Sequence, residues 1–388
     1  MKSVVIVSSV RTPLGGFCGQ FANVKTPDLG ATAIRKVVKN FDGAVSNVYM
    51  GCVLSAGLGQ SPARQSALSA GLGYSTHCMN INKICGSGMA SIMMGRNAIL
   101  AGENDIVVAG GMESMSGAPY LLTKARTGYR LGNNTLIDHM VYDGLIDAYG
   151  DCHMGLYADQ TAEACGFTRE DQDAYTVESF NKARKAVEDN AFASEITSVA
   201  VKDRKGAITF VDKDEVPFSV DLNKMPKLKP AFRPDGTITA ASASSIADGA
   251  AAVLMMTEEN ANKFGMTPEV RIVAQSSYSQ DPAEFALAPI GAVNELLKKT
   301  GWSINDVDVF EINEAFAVVA MAAIKELEID PAKVNIFGGA CALGHPLGAS
   351  GARIVVTLIN AMKTRNAKRG IATLCVGGGE GVAIALER

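Results

Sequence analysis

Two cysteines and a histidine each lie in a glycine-rich turn of this 388-residue chain. Cys85 stands in Asn-Lys-Ile-Cys-Gly-Ser-Gly, directly before an apolar segment of helical character. His345 stands in Leu-Gly-His-Pro-Leu-Gly, and Cys375 follows a short apolar run and precedes three glycines. A thiol at a helix N-terminus meets the positive end of the helix dipole, which favours the thiolate. The pattern therefore predicts acyl transfer through a cysteine thioester.

The other two groups could complete this chemistry. A neutral imidazole at His345 could take the proton of the Cys85 thiol, because Gly344 and Pro346 hold it in a rigid turn. A second thiol at Cys375 suggests a second proton transfer, at a carbon acid or a leaving thiol. Each residue alone also has a purely structural interpretation, as a buried thiol or a polar group in a turn.

Several neighbouring residues have weaker signals. Asn313 and Glu314 are predicted to open a helix that asparagine caps, and the functional alternative is an amide that holds a water or the histidine. Lys83 would lower the thiol pKa if its side chain pointed inward. The backbone N–H groups after Cys375, with Gly377 among them, could contribute to an oxyanion hole.

Composition limits the class of protein. The net charge of −4 argues against nucleic-acid binding. The eight cysteines form no Cys-x-x-Cys pair, which disfavours zinc and thioredoxin-like sites and favours a reducing compartment. No apolar run approaches the ~18 residues of a membrane span. We therefore expect a cytoplasmic protein without a membrane segment.

Apolar runs of strand length alternate with segments of helix length, which predicts an α/β protein with largely buried sheets. The predicted strands cover 4–7, 48–50, 106–109, 251–256, 307–312 and 372–376. The predicted helices cover 27–41, 61–71, 87–101, 289–300, 314–327 and 349–363.

Residues 80–114 and 335–381 share one order of parts: an Asn-Ile strand, a glycine turn, an apolar helix, a polar break and a second strand. Cys85 and His345 occupy the two turns. A duplicated fold would bring both turns to one site near a pseudo-two-fold axis, and chance similarity of common α/β units is the alternative. Residues 119–245 are dense in charged and turn residues and are interpreted as an inserted domain.

Taken together, these motifs resemble the thiolase family, and within it the acetyl-CoA acetyltransferases, over essentially the full length. The motifs are Cys-Gly-Ser-Gly at 85–88, Gly-Gly-Met-Glu-Ser-Met-Ser at 110–116, His-Met-Gly at 153–155, Asn-Glu-Ala-Phe at 313–316, Gly-His-Pro at 344–346 and Cys-Val-Gly-Gly-Gly at 375–379. The resemblance implies a five-layered αβαβα fold of two duplicated halves with an inserted loop domain. It assigns 1–118 and 246–265 to the N-terminal half, 119–245 to the inserted domain and 266–388 to the C-terminal half.

The resemblance also implies roles for the site residues. Cys85 would be the acylated nucleophile, His345 would activate it and line an oxyanion hole, and Asn313 would hold a water in that hole. Cys375 would move a proton at the α-carbon of the second acyl-CoA, and the N–H groups of Cys85 and Gly377 would form another hole. The positions that match contacts to substrate or CoA are His153, Met154, Phe232, Ser244, Ala315 and Phe316.

The implied reaction is the reversible Claisen condensation of two acetyl-CoA to acetoacetyl-CoA and CoA, in fatty acid metabolism. Coenzyme A thioesters are the substrates, and no cofactor or metal is expected. His153 and Met154 are typical of the short-chain, biosynthetic branch. The alternatives are a degradative 3-ketoacyl-CoA thiolase of broader chain length and a non-catalytic acyl-CoA-binding relative. A homotetramer is expected, with a dimer as the alternative.

The chain departs from the family pattern at a few positions. Ala241, Ser242 and Ser245 replace the usual glycine, asparagine and glycine, and Phe337 replaces an asparagine. Glu380 stands where methionine or glutamine is common. These departures affect the expected contacts to CoA and the chain-length preference, whereas the expected nucleophile, base and second thiol are all present.

Overall fold

The structure is a computed structural model that describes residues 2–388. Nine long or central strands and several short ones form its β structure. The strands are Val4–Arg11 (β1), Gly15–Gly16 (β2), Asn47–Gly51 (β3), His77–Ile81 (β4), Ile106–Ser114 (β5), Tyr120–Leu121 (β6), Ile137–Asp138 (β7), Ile146–Asp147 (β8), Cys152–His153 (β9), Val199–Lys202 (β10), Ile208–Val211 (β11), Ala247–Thr257 (β12), Val270–Ser279 (β13), Val309–Ile312 (β14), Arg369–Val376 (β15) and Glu380–Glu387 (β16).

Helices flank and separate these strands. They are Thr26–Val37 (α1), Pro62–Ser69 (α2), Ser87–Ala101 (α3), Met154–Cys165 (α4), Arg169–Glu188 (α5), Glu258–Lys263 (α6), Ala288–Thr300 (α7), Ala317–Glu326 (α8), Ala340–Leu343 (α9) and Leu347–Arg365 (α10). Shorter helical turns cover Val141–Leu145, Val216–Phe218, Leu222–Lys227, Pro282–Leu287, Ile304–Asp306 and Pro331–Lys333. Within the described residues, no helix is both long and apolar enough to cross a bilayer.

Each predicted strand and helix corresponds to an observed element, but some limits differ. The strand expected over 106–109 continues to Ser114 through Gly110 and Gly111. These glycines are required inside the strand, since a Cβ on Gly110 would lie 2.1 Å from Ala251 O and one on Gly111 would lie 2.0 Å from Gly348 O. Two backbones therefore approach this strand more closely than any side chain allows.

The helix expected from Glu314 is wrong at its start, because α8 begins at Ala317 with Phe316 as its N-cap residue. The backbone N–H of Asn313 donates to Thr373 O at 3.0 Å, which continues the parallel pairing of β14 and β15. Phe316 is extended, with φ −141° and ψ 154°. Tertiary hydrogen bonds thus hold 313–316 out of the helix despite its helix-forming sequence.

The main sheet contains two copies of one strand arrangement. Its order is β14-β15-β16-β13-β1-β12-β5-β3-β4, and β2 pairs with β12. Outward from the centre, β12 pairs antiparallel with both β1 and β5. The pairing then becomes parallel, from β5 to β3 and from β3 to β4. The other half repeats this pattern in β13, β16, β15 and β14, and a parallel bridge from Phe310 to Val334 replaces the last strand. The expected duplication is therefore confirmed in the topology.

Helices form three layers around the sheet strands, which confirms the expected αβαβα fold. The central layer is α3 and α10, which pack on each other and contact strands of both halves. The outer layers are α1 and α2 over the first half and α7 and α8 over the second. The central helices cross closely, since a Cβ on Gly88 would lie 2.7 Å from Ala352 N. This crossing brings the turns that precede both helices to one end of the molecule.

Residues between β5 and β12 add no strand to the main sheet. They contain α4, α5 and three two-stranded ribbons formed by β6–β7, β8–β9 and β10–β11. Buried side chains of α5, such as Phe180 and Ala183, belong to the same hydrophobic core as those of α10. The residue limits assigned above to the three segments stay a prediction.

Candidate active site

Cys85 lies in the turn between β4 and α3, two residues before the helix begins at Ser87. Ser87 Oγ donates to Ile84 O at 2.6 Å and accepts from Lys83 N at 2.8 Å, which fixes the turn. Ile84 has a φ of +45°, an unusual conformation for a β-branched residue. This turn presents the half-buried thiol to the N–H of Gly377 and to its own backbone N–H.

The electrostatics of the thiol differ from the expectation of a thiolate. Burial raises the pKa of Cys85 to about 11, although the N–H groups of Gly377 and Cys85 lower it and the nearby Glu113 carboxylate raises it. Desolvation of the charged form outweighs the favourable N–H groups. The backbone N–H groups thus favour the thiolate as expected, but burial outweighs them and holds the pKa of the Cys85 thiol above its ordinary value.

Of the two orientations open to Lys83, inward or at the surface, the structure has the partly exposed one. Its ammonium group pairs with the carboxylate of Glu380, and both side chains are about one-third exposed. This ion pair joins the turn that carries Cys85 to the turn that carries Gly377. The family departure at Glu380 thus has a partner in the structure, and the charge of Lys83 is neutralised there.

Glu113 is a buried carboxylate beside the thiol, and the sequence reasoning gave it no role. It accepts the N–H groups of Val53 at 3.0 Å, Leu54 at 3.1 Å and Gly348 at 2.8 Å. Burial raises the pKa of Glu113 to about 7, although these hydrogen bonds lower it. The carboxylate ties the start of α10 to the loop after β3, and the Gly-Gly-Met-Glu motif was the signal that could have found it.

His345 is buried between Gly344, whose φ is +109°, and Pro346. Its Nδ1 lies 2.5 Å from Ser350 Oγ, and the hydroxyl also lies 3.0 Å from Pro346 O. The hydroxyl can donate to either one, so it can support either neutral tautomer of the imidazole. Nε2 is buried and has no hydrogen-bond partner among residues 2–388.

The electrostatic environment keeps His345 uncharged. Burial lowers its pKa to about 3, and the positive charge of Arg353 lowers it further. A neutral imidazole with a free Nε2 can accept a proton or donate one, depending on its tautomer. No hydrogen bond joins Nε2 to Cys85 in the described residues, and such contacts often form only when substrate is bound.

Asn313 is fully buried after β14. Its Oδ1 accepts from Arg353 Nη2 at 3.4 Å, whereas its Nδ2 has no hydrogen-bond partner in the part of the chain that the structure describes. A buried amide N–H₂ without an acceptor is costly, which suggests that it faces a bound water or ligand. Arg353 and Ser350 are residues that the sequence reasoning missed, and only their spacing from His345 on one helix could have indicated them.

Cys375 lies near the end of β15 and is buried in a cluster with Met154, Ala315 and Phe316. Burial raises its pKa well above the ordinary value for a thiol, and the nearby Cys85 raises it further. The two thiols therefore share one environment. The turn that follows reverses the chain through Gly378 and Gly379, with φ of +89° and +84°.

The predicted contacts to substrate lie around one cavity of about 600 Å³. Five of the six residues line it, namely His153, Phe232, Ser244, Ala315 and Phe316. Met154, the sixth, does not line it: this side chain packs in the cluster with Cys375 and lies 3.9 Å from the position that a Cβ on Gly377 would occupy.

Aromatic side chains form a wall of this cavity. His153 stacks on Phe232 with ring centroids 4.6 Å apart, and Phe316 lies 5.8 Å from Phe232. Burial lowers the pKa of His153, so this ring contributes a neutral surface. Gly155 permits the stack, since a Cβ there would lie 2.3 Å from the Phe232 ring.

The residues that depart from the family pattern make contacts of their own. Ser242 Oγ accepts from Thr239 N at 2.9 Å, which closes the turn before the cavity. Phe337 packs edge-on against Phe192 at 5.6 Å in the main core. Ser245 accepts the backbone N–H of His345 through its carbonyl at 2.9 Å. The backbone around the site is therefore held without the usual side chains.

Comparison with known proteins is consistent with this geometry. The model of the thiolase N-terminal domain matches residues 4–259, and that of the thiolase C-terminal domain matches residues 266–388. Acetyl-CoA acetyltransferases of Pseudomonas aeruginosa and Cupriavidus necator are 47% and 46% identical to the chain, with full coverage of both proteins in each case. The chain belongs to the thiolase family, and it is therefore an acyltransferase.

A solved structure supports the same assignment. The Acat5 thiolase of Ascaris suum, solved in complex with coenzyme A, is 41% identical in sequence to this chain. The match covers 100% of each of the two chains and has a TM-score of 0.94. Likeness at this level extends to the whole fold.

Proposed function

We propose that this thiolase is an acetyl-CoA C-acetyltransferase that condenses two acetyl-CoA reversibly to acetoacetyl-CoA and CoA, through an acetyl-Cys85 intermediate. The observation that carries the proposal is the proximity of the two thiols of Cys85 and Cys375. Within residues 2–388, Nε2 of His345 and Nδ2 of Asn313 are also buried without a hydrogen-bond partner, so they can serve substrate. Relatives named acetyl-CoA acetyltransferase at 45–47% identity support it.

In the first step, Cys85 Sγ attacks the thioester carbonyl of acetyl-CoA while His345 Nε2 takes the thiol proton. The C–S bond to CoA breaks, and the CoA thiolate takes the proton of Cys375 as it leaves, so Cys375 becomes a thiolate. The carbonyl oxygen gains charge in the tetrahedral intermediate, where the N–H groups of Cys85 and Gly377 can donate to it. Since both N–H groups already point at the sulfur, they need little rearrangement.

In the second step, Cys375 as a thiolate removes a proton from the methyl carbon of another acetyl-CoA. The high pKa that burial gives Cys375 makes its thiolate a stronger base. The enolate oxygen accepts hydrogen bonds from His345 and from a water held by Asn313. The enolate carbon then attacks acetyl-Cys85, and the Cys85 thiolate leaves and regains from His345 the proton that it gave up in the first step. Protein groups and CoA thioesters supply every atom of this scheme, so we expect no cofactor.

We further propose a preference for short acyl chains, supported by the aromatic wall that His153, Phe232 and Phe316 form. The test is CoA-dependent cleavage of acetoacetyl-CoA beside a 3-ketoacyl-CoA of medium chain length, with Cys85→Ala as the inactive control. We expect fast cleavage of the short substrate only. Comparable rates for both substrates would support a degradative thiolase of broader range, and turnover by the Cys85→Ala variant would exclude Cys85 as nucleophile.

We also propose that the enzyme is a cytoplasmic homotetramer that serves fatty acid metabolism. Its eight cysteines are all free thiols in the structure, which supports a reducing compartment. Residues 119–145 expose large apolar side chains, including Leu122, Leu131 and Leu136, and such side chains often mark protein contacts.

A further inference from the structure

Arg353 is a fully buried guanidinium on α10 that faces the strand before Asn313. Its Nη1 lies 3.4 Å from Glu311 Oε2, and its Nη2 lies 3.4 Å from Asn313 Oδ1. Glu311 and Asn313 are two residues apart, so they lie on one face of the extended chain. The guanidinium therefore spans the end of β14 directly behind the amide that the enolate step needs.

The contact decides which end of the Asn313 amide faces the substrate. Since guanidinium groups only donate hydrogen bonds, they select the carbonyl oxygen of the amide and turn Nδ2 to the opposite side. Nδ2 is buried and has no hydrogen-bond partner among the described residues. A charged donor on Oδ1 also polarises the amide, which makes its N–H groups stronger donors.

The charge of Arg353 acts on the same oxygen. Burial raises the pKa of Glu311 while its ion pair with Arg353 lowers it, and the carboxyl groups of Glu195 and Glu314 also act on the guanidinium. The charge also disfavours the imidazolium form of His345. A negative enolate oxygen beside His345 and Asn313 would gain from this buried cation, because charges interact strongly where water is excluded.

We propose that Arg353 is a positioning residue for the enolate step: it fixes the Asn313 amide and places a buried positive charge behind the donors that receive the enolate oxygen. The inference rests on the proposed function, since it needs an enolate of acetyl-CoA at this site. Acylation of Cys85 uses the other set of donors, the N–H groups of Cys85 and Gly377, and does not require Arg353.

The test separates the two half-reactions. Acylation is measured as acetyl transfer from acetyl-CoA to Cys85 by rapid quench and intact-protein mass spectrometry. Enolate formation is measured by NMR as deuterium exchange into the methyl group of a ketone analogue of acetyl-CoA, in which CH₂ replaces the thioester sulfur so that Cys85 cannot be acylated. The variants are Arg353→Met and Arg353→Lys, and the matched control is Thr357→Val, which removes a buried 3.2 Å hydrogen bond to Glu195 one turn along α10.

For Arg353→Met we expect exchange to fall about 100-fold while the acylation rate changes less than about threefold. Arg353→Lys keeps the positive charge but lacks the two-pronged guanidinium, so its exchange rate should be about tenfold higher than that of Arg353→Met. Thr357→Val should leave both half-reactions near wild type. If Arg353→Met does not fold, Arg353→Lys must still lose exchange selectively for the proposal to stand.

Equal losses in both half-reactions, or unchanged exchange in the variants, would overturn the proposal. Failure of the proposed function has a different signature, since the wild-type protein itself would then neither acylate Cys85 nor exchange the ketone analogue.

Discussion

Burial determines the resting proton positions of individual groups at this site. Cys85 is a thiol with a pKa near 11, and His345 is neutral with a pKa near 3. An ion pair of thiolate and imidazolium is therefore unfavourable before substrate enters. The nucleophile forms only as the carbonyl is attacked, when the developing negative charge moves from sulfur to an oxygen with its own N–H donors.

This resting state predicts the pH dependence of Cys85 alkylation. Because the pKa is raised, the thiolate fraction is small at neutral pH and grows as pH approaches 11. We expect the rate with iodoacetamide to rise about tenfold per pH unit between about pH 7 and about pH 10. Peptide mass spectrometry would follow Cys85, with the exposed Cys18 as an access control in the same digest. A plateau below pH 8 would instead indicate a preformed thiolate–imidazolium pair.

Cys375→Ser tests the division of work between the two thiols. A serine hydroxyl is a far weaker acid, so it cannot supply the base that removes the methyl proton. We expect Cys85 to be acylated still, while condensation falls at least about 100-fold. Intact-protein mass and acetoacetyl-CoA formation measure the two steps, and Cys18→Ser is the exposed control. Normal condensation by Cys375→Ser would remove that residue from the mechanism.

At the scale of elements, the crossing of α3 and α10 positions the site. Gly88 and Gly351 let the helices touch, since a Cβ on Gly351 would lie 2.4 Å from Met89 N. The turns with Cys85 and His345 precede these two helices. Glu113 holds the start of α10 through Gly348, and the pair of Lys83 with Glu380 joins the two turns at the surface.

Gly88→Ala should therefore weaken both stability and activity. The added methyl group would lie 2.7 Å from Ala352 N and 3.0 Å from Gly348 O, neither of which is a flexible side-chain end. We expect a loss of about 2 kcal/mol in the free energy of unfolding, seen as a lower thermal midpoint, with reduced thiolysis of acetoacetyl-CoA. The control is Gly73→Ala, whose new Cβ meets only Ser75 Oγ at 3.7 Å. Equal midpoints for both variants would contradict this account of the crossing.

At the scale of the whole molecule, each half contributes what the other lacks. The two halves share one strand pattern. The first half contains Cys85, and the second contains His345, Asn313 and Cys375. Residues inserted between β5 and β12 add His153 and Phe232, which line the cavity. The repeated halves form the framework, and the insertion supplies part of the cavity wall.

The exposed apolar side chains of residues 119–145, within the insertion, should determine the proposed tetramer. The double variant Leu122→Asp/Leu131→Asp places charges on two exposed positions, so it should dissociate the tetramer to dimers without unfolding the protomer. Light scattering and circular dichroism measure the two properties. Ile208→Asp, at an exposed apolar position on β11, is the matched control and should stay tetrameric. An unchanged tetramer in the double variant would place the contacts elsewhere.

The sequence alone determined the parts of the fold and site that depend on near neighbours along the chain. Alternating apolar runs indicated the α/β class, and α3 begins and ends as predicted. The turns around Cys85, His345 and Cys375 carry their glycines within a few residues, which is why their motifs could be read. The repeated order of parts also anticipated the repeated strand pattern.

Only the tertiary structure decided what depends on residues far apart in sequence. The pKa of Cys85 is set by burial, the tautomers available to His345 by Ser350, and the orientation of the Asn313 amide by Arg353. The start of α8 was mispredicted because β15 holds Asn313 in the sheet. Desolvation and long-range hydrogen bonds leave no periodic signal in a sequence, and they act only once the chain is packed.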